Sequence, residues 1–251
     1  MLNLEKKVVL ITGGSSGIGA ACVKLFAKAG ANVAFTYNKN KGAAFQLINS
    51  LSNENKIIAY KTKIESETSI NKTVKSVLND FNRIDILVNN AGVWEEGKIE
   101  EMTLEHWDRT IKINLTGTFL FTKAVVPHMK KNKYGRIINI SSTAGQRGEA
   151  TYSHYAASKG GMISFTKSLA AELGEFNITT NSVAPGWVIT EMTDEVFSDK
   201  KYLKKEADKI PTKRIATAED IAGSVLFLAS DLARQINGEI LNVNGGSVLC
   251  G

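Results

Sequence analysis

A chain of 251 residues can bury a substantial core, and its even composition, with no Pro- or Ser-rich linker, points to one α/β domain over residues 1–251. Two cysteines, Cys22 and Cys250, suggest neither a disulfide framework nor a zinc site, and no apolar stretch nears the ~20 residues of a membrane helix, so a reducing cytoplasm is expected. The formal charge of +6 comes from lysines spread along the chain, and the densest group (Lys200, Lys201, Lys204, Lys205) is interleaved with acids, which reads as solvated surface rather than a nucleic-acid stripe and is also compatible with a basic rim for phosphorylated or acidic substrates.

Val8 to Ile11 reads as a buried strand, too short for a signal peptide, that runs into Thr12-Gly13-Gly14-Ser15-Ser16-Gly17-Ile18-Gly19. Ala20 to Ala29 follows as a helix. Glycines between a strand and a helix let the backbone turn sharply and approach a pyrophosphate, while the first N–H groups of the helix face the anion. The spacing is not G-x-G-x-x-G, and no Lys follows the last glycine, which disfavours a P-loop. Taken alone, the octet is also compatible with an ordinary tight turn. It also matches the G-x-S-x-G nucleophile elbow of serine hydrolases, with Ser15 as nucleophile. That elbow normally follows several strands and precedes its His, and none of His106, His128 and His154 lies near the C-terminus.

Asn32 to Tyr37 is a second strand and Lys41 to Leu51 a helix; Ile57 to Tyr60 is a third strand and Ser66 to Phe81 a helix. Ile84 to Asn89, the fourth strand, is too apolar for a sheet with one wet face, so helices should cover both sides. Thr103 to Lys131 has a helical pattern, broken near Asn114, and Arg136 to Ser141 is the fifth strand. Tyr152 to Glu175 is a helix rich in small residues, and Ile178 to Ala184 a sixth strand. Residues 187–212 are polar and weakly patterned and read as a mobile lid over the substrate. Thr217-Ala218-Glu219-Asp220 has the form of a capping box and opens the last helix, and Ile240 to Val243 is a final strand. Such alternation predicts a doubly wound parallel sheet.

Ligands in such sheets bind beyond the carboxyl ends of the strands, where Ser141 and Ser142 fall. The next helix carries Tyr155 and Lys159, whose spacing of four puts phenol and ammonium on one face. A Tyr with a pKa of about 10 is a sluggish acid or base near neutrality, and an adjacent Lys⁺ is expected to lower that value.

The glycine turn, Asn89-Asn90-Ala91-Gly92, Asn114, Ser142, the Tyr155/Lys159 pair and Pro185-Gly186 fall at the spacings of the short-chain dehydrogenase/reductase family, which this chain resembles from end to end. The resemblance implies a Rossmann-type sheet of seven parallel strands, in a tetramer built through the long helices and the C-terminal strand. It makes Tyr155 the proton donor to a substrate carbonyl oxygen and Ser142 a hydrogen-bond partner of that oxygen. Lys159 would hold the nicotinamide ribose, and Asn114 would anchor a water linking Lys159 to solvent. The cofactor would lie on Gly13, Ser15, Ser16, Gly17, Ile18 and Gly19 at the phosphates. Asn90, Ala91, Gly92, Tyr155, Lys159, Pro185, Gly186, Val188 and Thr190 would surround the rest of it. Family members that prefer NAD carry an acid at the end of the second strand, where this chain has Tyr37, Asn38 and Lys39; the resemblance therefore favours NADP, with Ser15, Asn38 and Lys39 near the 2′-phosphate. Lys63 stands where members often have an adenine-binding Asp, which leaves adenine to backbone near Ile64.

Within the family the likeness is strongest to the 3-oxoacyl-acyl-carrier-protein reductases, through Gly135 to Ser142, Val183 to Gly186 and Asn242 to Gly246. These motifs are shared with many sugar, alcohol and steroid dehydrogenases. Carrier docking in those reductases uses two basic positions, of which Lys133 fits one and Phe176 stands at the other. Ketone reduction by NADPH, the carbonyl compound carrier-bound or free and a 3-oxoacyl thioester among the candidates, is the expected activity. An NAD(P)-dependent sugar, alcohol or steroid dehydrogenase is the alternative, and a serine hydrolase through Ser15 and a catalytically idle cofactor sensor are more remote ones. Among Trp94, Trp187, Phe197, Met162 and Met192, only Trp187 and Met192, which follow the sixth strand, are expected to line the substrate pocket.

Overall fold

The computed structural model describes residues 2–51 and 55–249; Cys250 lies outside them. Seven strands form one parallel sheet: β1 (Val8–Ile11), β2 (Asn32–Tyr37), β3 (Ile57–Lys61), β4 (Ile86–Asn89), β5 (Gly135–Ile140), β6 (Ile178–Pro185) and, last in the chain, a strand Ile240–Val243. They are ordered β3-β2-β1-β4-β5-β6 with the last strand beside β6. β1, β4, β5 and β6 are buried along their whole length. Their apolar side chains alternate between two cores, as the period of two requires. Val9, Ile11, Ile86, Val88, Ile138 and Ile140 face one, and Leu10, Leu87 and Ile137 face the other.

The first core is closed by α1 (Gly17–Lys28) and by a late helix, Ala218–Ala229. Between β2 and β3 lies α2 (Lys41–Asn49). The second core is closed by α3 (Glu67–Phe81), whose Ser66 side chain caps Ser69 N, and by two long helical stretches. One of these comprises α4 (Leu104–Ile111) and α5 (Gly117–Asn132), and the expected break at Asn114 is a π-helical turn, Lys112–Thr116, through which the helix runs on. The other follows a short α6 (Ala144–Arg147) and is α7 (Ser153–Leu173).

The remaining segment is more ordered than its sequence suggests. β7 (Val188–Ile189), α8 (Asp194–Phe197), α9 (Lys200–Lys209) and β8 (Ala216–Thr217) enclose a small core of Phe197, Ala207, Ile210 and Ile215, with β7 and β8 paired in parallel. α10 (Ala218–Ala229) then opens on the expected capping box of Thr217 and Asp220, and β9 (Ile240–Val243) ends the sheet.

Candidate active site

From β1 the chain first builds outward to β2 and β3 and then returns to place β4 on the other side, so the crevice between the ends of β1 and β4 is the switch point where doubly wound sheets bind ligands. A cleft of about 890 Å³ opens there.

The glycine turn forms one end of it. Gly13 and Gly17 take positive φ (66° and 49°), which side chains tolerate poorly. A Cβ on Gly19 would lie 2.1 Å from the Gly13 carbonyl oxygen, so this helix start packs against its own turn. The turn is fastened from both neighbouring strands. Gly13 N donates to Thr36 Oγ1 (3.0 Å), the Asn90 and Ala91 amides donate to Thr12 Oγ1 (2.9 and 3.0 Å), and Asn90 Nδ2 donates to the carbonyls of Thr12 and Gly13 (2.9 and 3.1 Å). Thr12 and Thr36 are positioning residues that motif reading passed over; their only signal is a hydroxyl at the end of an apolar strand.

The other end is held by a buried polar ladder. Asn89 Nδ2 donates to Asn139 Oδ1 (2.9 Å) and to Thr122 Oγ1 (3.2 Å), and Asn139 Nδ2 donates to Thr166 Oγ1 (2.9 Å), which ties β4 and β5 to α5 and α7. Asn114, fully buried in the π turn, receives Val93 N (2.8 Å) and donates to Val93 O (3.0 Å) and to Ser158 Oγ (3.1 Å). Its side chain braces the loop after β4 against α7.

On this frame Ser142, Tyr155 and Lys159 come together in the cleft wall. Ser142 Oγ accepts from Ala144 N at 3.1 Å and its hydroxyl is a hydrogen-bond partner of the Tyr155 phenol. Lys159 is buried, donates to the carbonyl of Ile140 at 2.7 Å, and has its ammonium 5.7 Å from the centre of the Tyr155 ring. The expected lowering of the Tyr155 pKa is not found. Burial pushes the phenol up to about 12, Glu149 adds to the rise, and only the Ser142 bond opposes it. Lys159 moves the other way, pushed down to about 8 by burial.

Of the residues expected around a cofactor, Gly13, Ser15, Ser16, Gly17, Ile18, Asn38, Lys39, Ile64, Asn90, Ala91, Gly92, Pro185, Gly186, Val188 and Thr190 line the cleft. Three expected site residues do not line it: Gly19 and Asn114 lie beneath it, and Tyr37 faces the first core beside Val33 and Phe35. Trp187 and Met192 line it as expected, while Met162 and Phe197 are core. Trp94, not among the residues expected to line the pocket, also lines the cleft. Its ring stacks on Tyr152 (4.5 Å, 3°) and meets Trp187 edge-on (5.6 Å, 87°), and Trp187 in turn meets Phe197 (5.2 Å). Arg147 and Glu149 also line the cleft, and burial raises the Glu149 pKa against the opposing pull of Arg147 and a hydrogen bond with Trp94.

No histidine is among the described residues that line this cleft; His106 and His154 pair with each other through Nε2 at 3.2 Å. Ser15 therefore has no imidazole to act as its base, which removes the serine-hydrolase reading. Among the described residues no His, Cys, Asp and Glu cluster could hold a metal, and no helix is long and apolar enough to cross a membrane.

Sheet topology and the Tyr–Lys pair together define a class, the oxidoreductases built on an NAD(P)-binding Rossmann fold. The protein family described as enoyl-(acyl carrier protein) reductase matches residues 13–247. The 3-oxoacyl-(acyl-carrier-protein) reductase of Aquifex aeolicus is 40% identical over 247 residues, 98% of each chain; that of Synechocystis sp. is 39% identical over 251 residues, 99% of this chain and all of its own. The Escherichia coli reductase of the same name is 39% identical over 245 residues, 98% of each chain. The chain belongs to the short-chain dehydrogenase/reductase family and is an enzyme of that family, an oxidoreductase acting on a carbonyl substrate.

Proposed function

We propose that the protein is an NADPH-dependent reductase that turns the ketone of a 3-oxoacyl thioester into a secondary alcohol. The observation that supports this most is the placing of Tyr155, Ser142 and Lys159 in one cleft whose far end is the glycine turn. That turn suits a pyrophosphate, because the Gly17 amide already donates to a carboxylate oxygen, Glu191 Oε2, at 2.8 Å and so is aimed at an anion. Gly13, Ser15, Ser16, Gly17 and Ile18 would hold the phosphates, Asn38 and Lys39 the adenosine end beside Ile64, and Lys159 the nicotinamide ribose. The nicotinamide, when bound, supplies hydride to the carbonyl carbon.

The chain's own residues handle the proton. With its pKa near 12, Tyr155 keeps its proton at physiological pH and can give it to the carbonyl oxygen as negative charge develops there. Ser142 offers that oxygen a second hydrogen bond. Lys159, at about 8, is a proton source close to the phenol it must resupply. Asn114 holds the loop and helix that fix this geometry.

The thioester reading is drawn from the relatives' names and gains support at Phe176. The Lys130 ammonium lies 4.4 Å from the centre of that ring, so a cation stands beside the position where the sequence has no basic residue. A second reading, a compact cyclic ketone such as a sugar or steroid, draws support from the wall of Trp94 and Trp187, the former stacked on Tyr152. In both readings residues 187–212 act as the lid, and copies of the chain assemble as a tetramer over exposed apolar residues such as Leu104 and Phe119. The test is NADPH consumption with purified protein across 3-oxoacyl thioesters, diketones, keto sugars and keto steroids. Preference for thioesters supports the first reading; turnover of cyclic ketones with none of thioesters replaces it with the second.

A further inference from the structure

The segment after β7 places a carboxylate where an anionic ligand would be held. α1 has no acidic residue in its first turn, and the side chain of its N-cap, Ser16, makes no capping bond, so the helix start depends on a partner from elsewhere. Glu191 is that partner. Its Oε2 accepts the Gly17 amide at 2.8 Å, although the two residues are 174 positions apart. Because Gly17 has no side chain, Thr190 also packs closely there: a Cβ on Gly17 would lie 3.3 Å from Thr190 Cβ and 3.5 Å from Glu191 Oε2. The turn that presents Glu191 is well built, with Thr193 Oγ1 donating to Val188 O (2.7 Å) and accepting Thr190 N (3.1 Å). Glu191 itself is exposed on the cleft rim and has no cationic partner among the described residues.

We propose that Glu191 is a built-in competitor for the cofactor phosphates, held on the Gly17 amide until a dinucleotide displaces it. The inference rests on the reading that a dinucleotide binds in this cleft. A helix N-terminus attracts one anion and cannot hold two at the same N–H, since their mutual repulsion exceeds what a partly exposed dipole returns. The arriving phosphate must therefore release Glu191. Release also unfastens the 190–193 turn from α1, and this turn carries Met192 into the same cleft. Cofactor arrival is thereby linked to freedom of the segment that leads into α8 and α9. The contact stabilises the ligand-free protein and weakens its first hold on cofactor, so removing it moves the two quantities in opposite directions.

The experiment uses the full chain with Glu191→Ala and Glu191→Gln, titrated with NADPH and NADP⁺ by calorimetry, and ligand-free melting of each. Both variants are expected to bind about two- to fivefold more tightly than the parent, the fold-change expected for a charge at an exposed helix terminus. The ligand-free Tm of Glu191→Ala should fall by a degree or two, and less for Gln, which keeps an acceptor. Weaker binding together with lower Tm would assign Glu191 a purely structural part and overturn the inference, and so would unchanged affinity in both variants. A parent that binds neither dinucleotide would overturn the cofactor reading itself, and this inference with it.

Discussion

Tyr155 and Lys159 sit one helical turn apart and are displaced in opposite directions by the same cause. Removing water disfavours charge, so the phenol holds its proton up to about 12 and the ammonium gives its proton up near 8. A phenol that stays protonated suits reduction, in which it donates. Tyr155→Phe removes only the donor, so kcat/KM for ketone reduction should fall by about 10²- to 10⁴-fold while the Kd for NADPH stays within about twofold. Turnover near the parent's would reject Tyr155 as the donor. Lys159 gives a further reading through stability. Its folded pKa is depressed below the ordinary 10.5, so between pH 8 and 10.5 the unfolded chain binds more protons than the native one and the cost of burying the charge fades as pH rises. The stability of the parent relative to Lys159→Met should thus grow across that window, by roughly 3 kcal/mol in full. Urea titrations at pH 7 and pH 10.5 measure it, and a flat difference would mean that burial leaves the native pKa of Lys159 at its unfolded value.

The glycine turn with α1 shows how far an element can be specified by absent atoms. Gly19→Ala would set a methyl 2.1 Å from the Gly13 carbonyl and 2.6 Å from Asn90 Nδ2, and the carbonyl is backbone that cannot step aside. A loss of about 2–3 kcal/mol is expected, together with loss of dinucleotide binding. Gly223→Ala in α10 meets nothing within 4 Å and should instead add about 0.5–1 kcal/mol. Denaturant midpoints of the two variants check the contrast, and equal shifts would refute it. This turn and the seven strands were legible because strand burial and glycine spacing are local signals. Three features were not. A π turn adds a residue to a helix without disturbing the apolar pattern for long, so Asn114 read as a break. The Tyr37 reading followed its place at a strand end, although the alternation of Val33, Phe35 and Tyr37 already sets it on the core face. α8 and α9 bury only a narrow strip, Phe197 and Ala207 with the partly buried Tyr202 and Leu203, against Trp187, Ile210 and Ile215, and α9 is otherwise charged, so their periodicity is faint and nothing in the sequence marks Trp94, which reaches them through Trp187, as a cleft residue.

For the whole molecule the open question is which dinucleotide its charge distribution selects. The cleft runs from the Tyr155 wall to the exposed end of β2, where Asn38, Lys39 and Asn40 face it with Ser15, and the carboxylate nearby is that of Glu65 after β3. An NAD ribose finds no acid at the end of β2 to receive its two hydroxyls, whereas a 2′-phosphate brings up to two charges toward Lys39 in a protein of net charge +6. A partly exposed charge-assisted contact contributes about 1.5 to 3 kcal/mol, so NADPH should exceed NADH in kcat/KM by roughly ten- to a hundredfold. Because these groups are exposed, the ratio should shrink as salt rises from 0.05 to about 0.5 M, where the screening length falls well below 10 Å. Tyr37→Asp is a poor test, since the buried side chain would charge the core and unfold the strand. Asn38→Asp places the charge on the exposed rim instead and should bring the ratio to unity or below, while Lys39→Ala should weaken NADPH about tenfold and leave NADH unchanged. A parent that uses NADH as well as NADPH, or a ratio indifferent to both substitutions and to salt, would mean that Lys39 points to solvent and that the adenosine end of the cleft makes no use of charge.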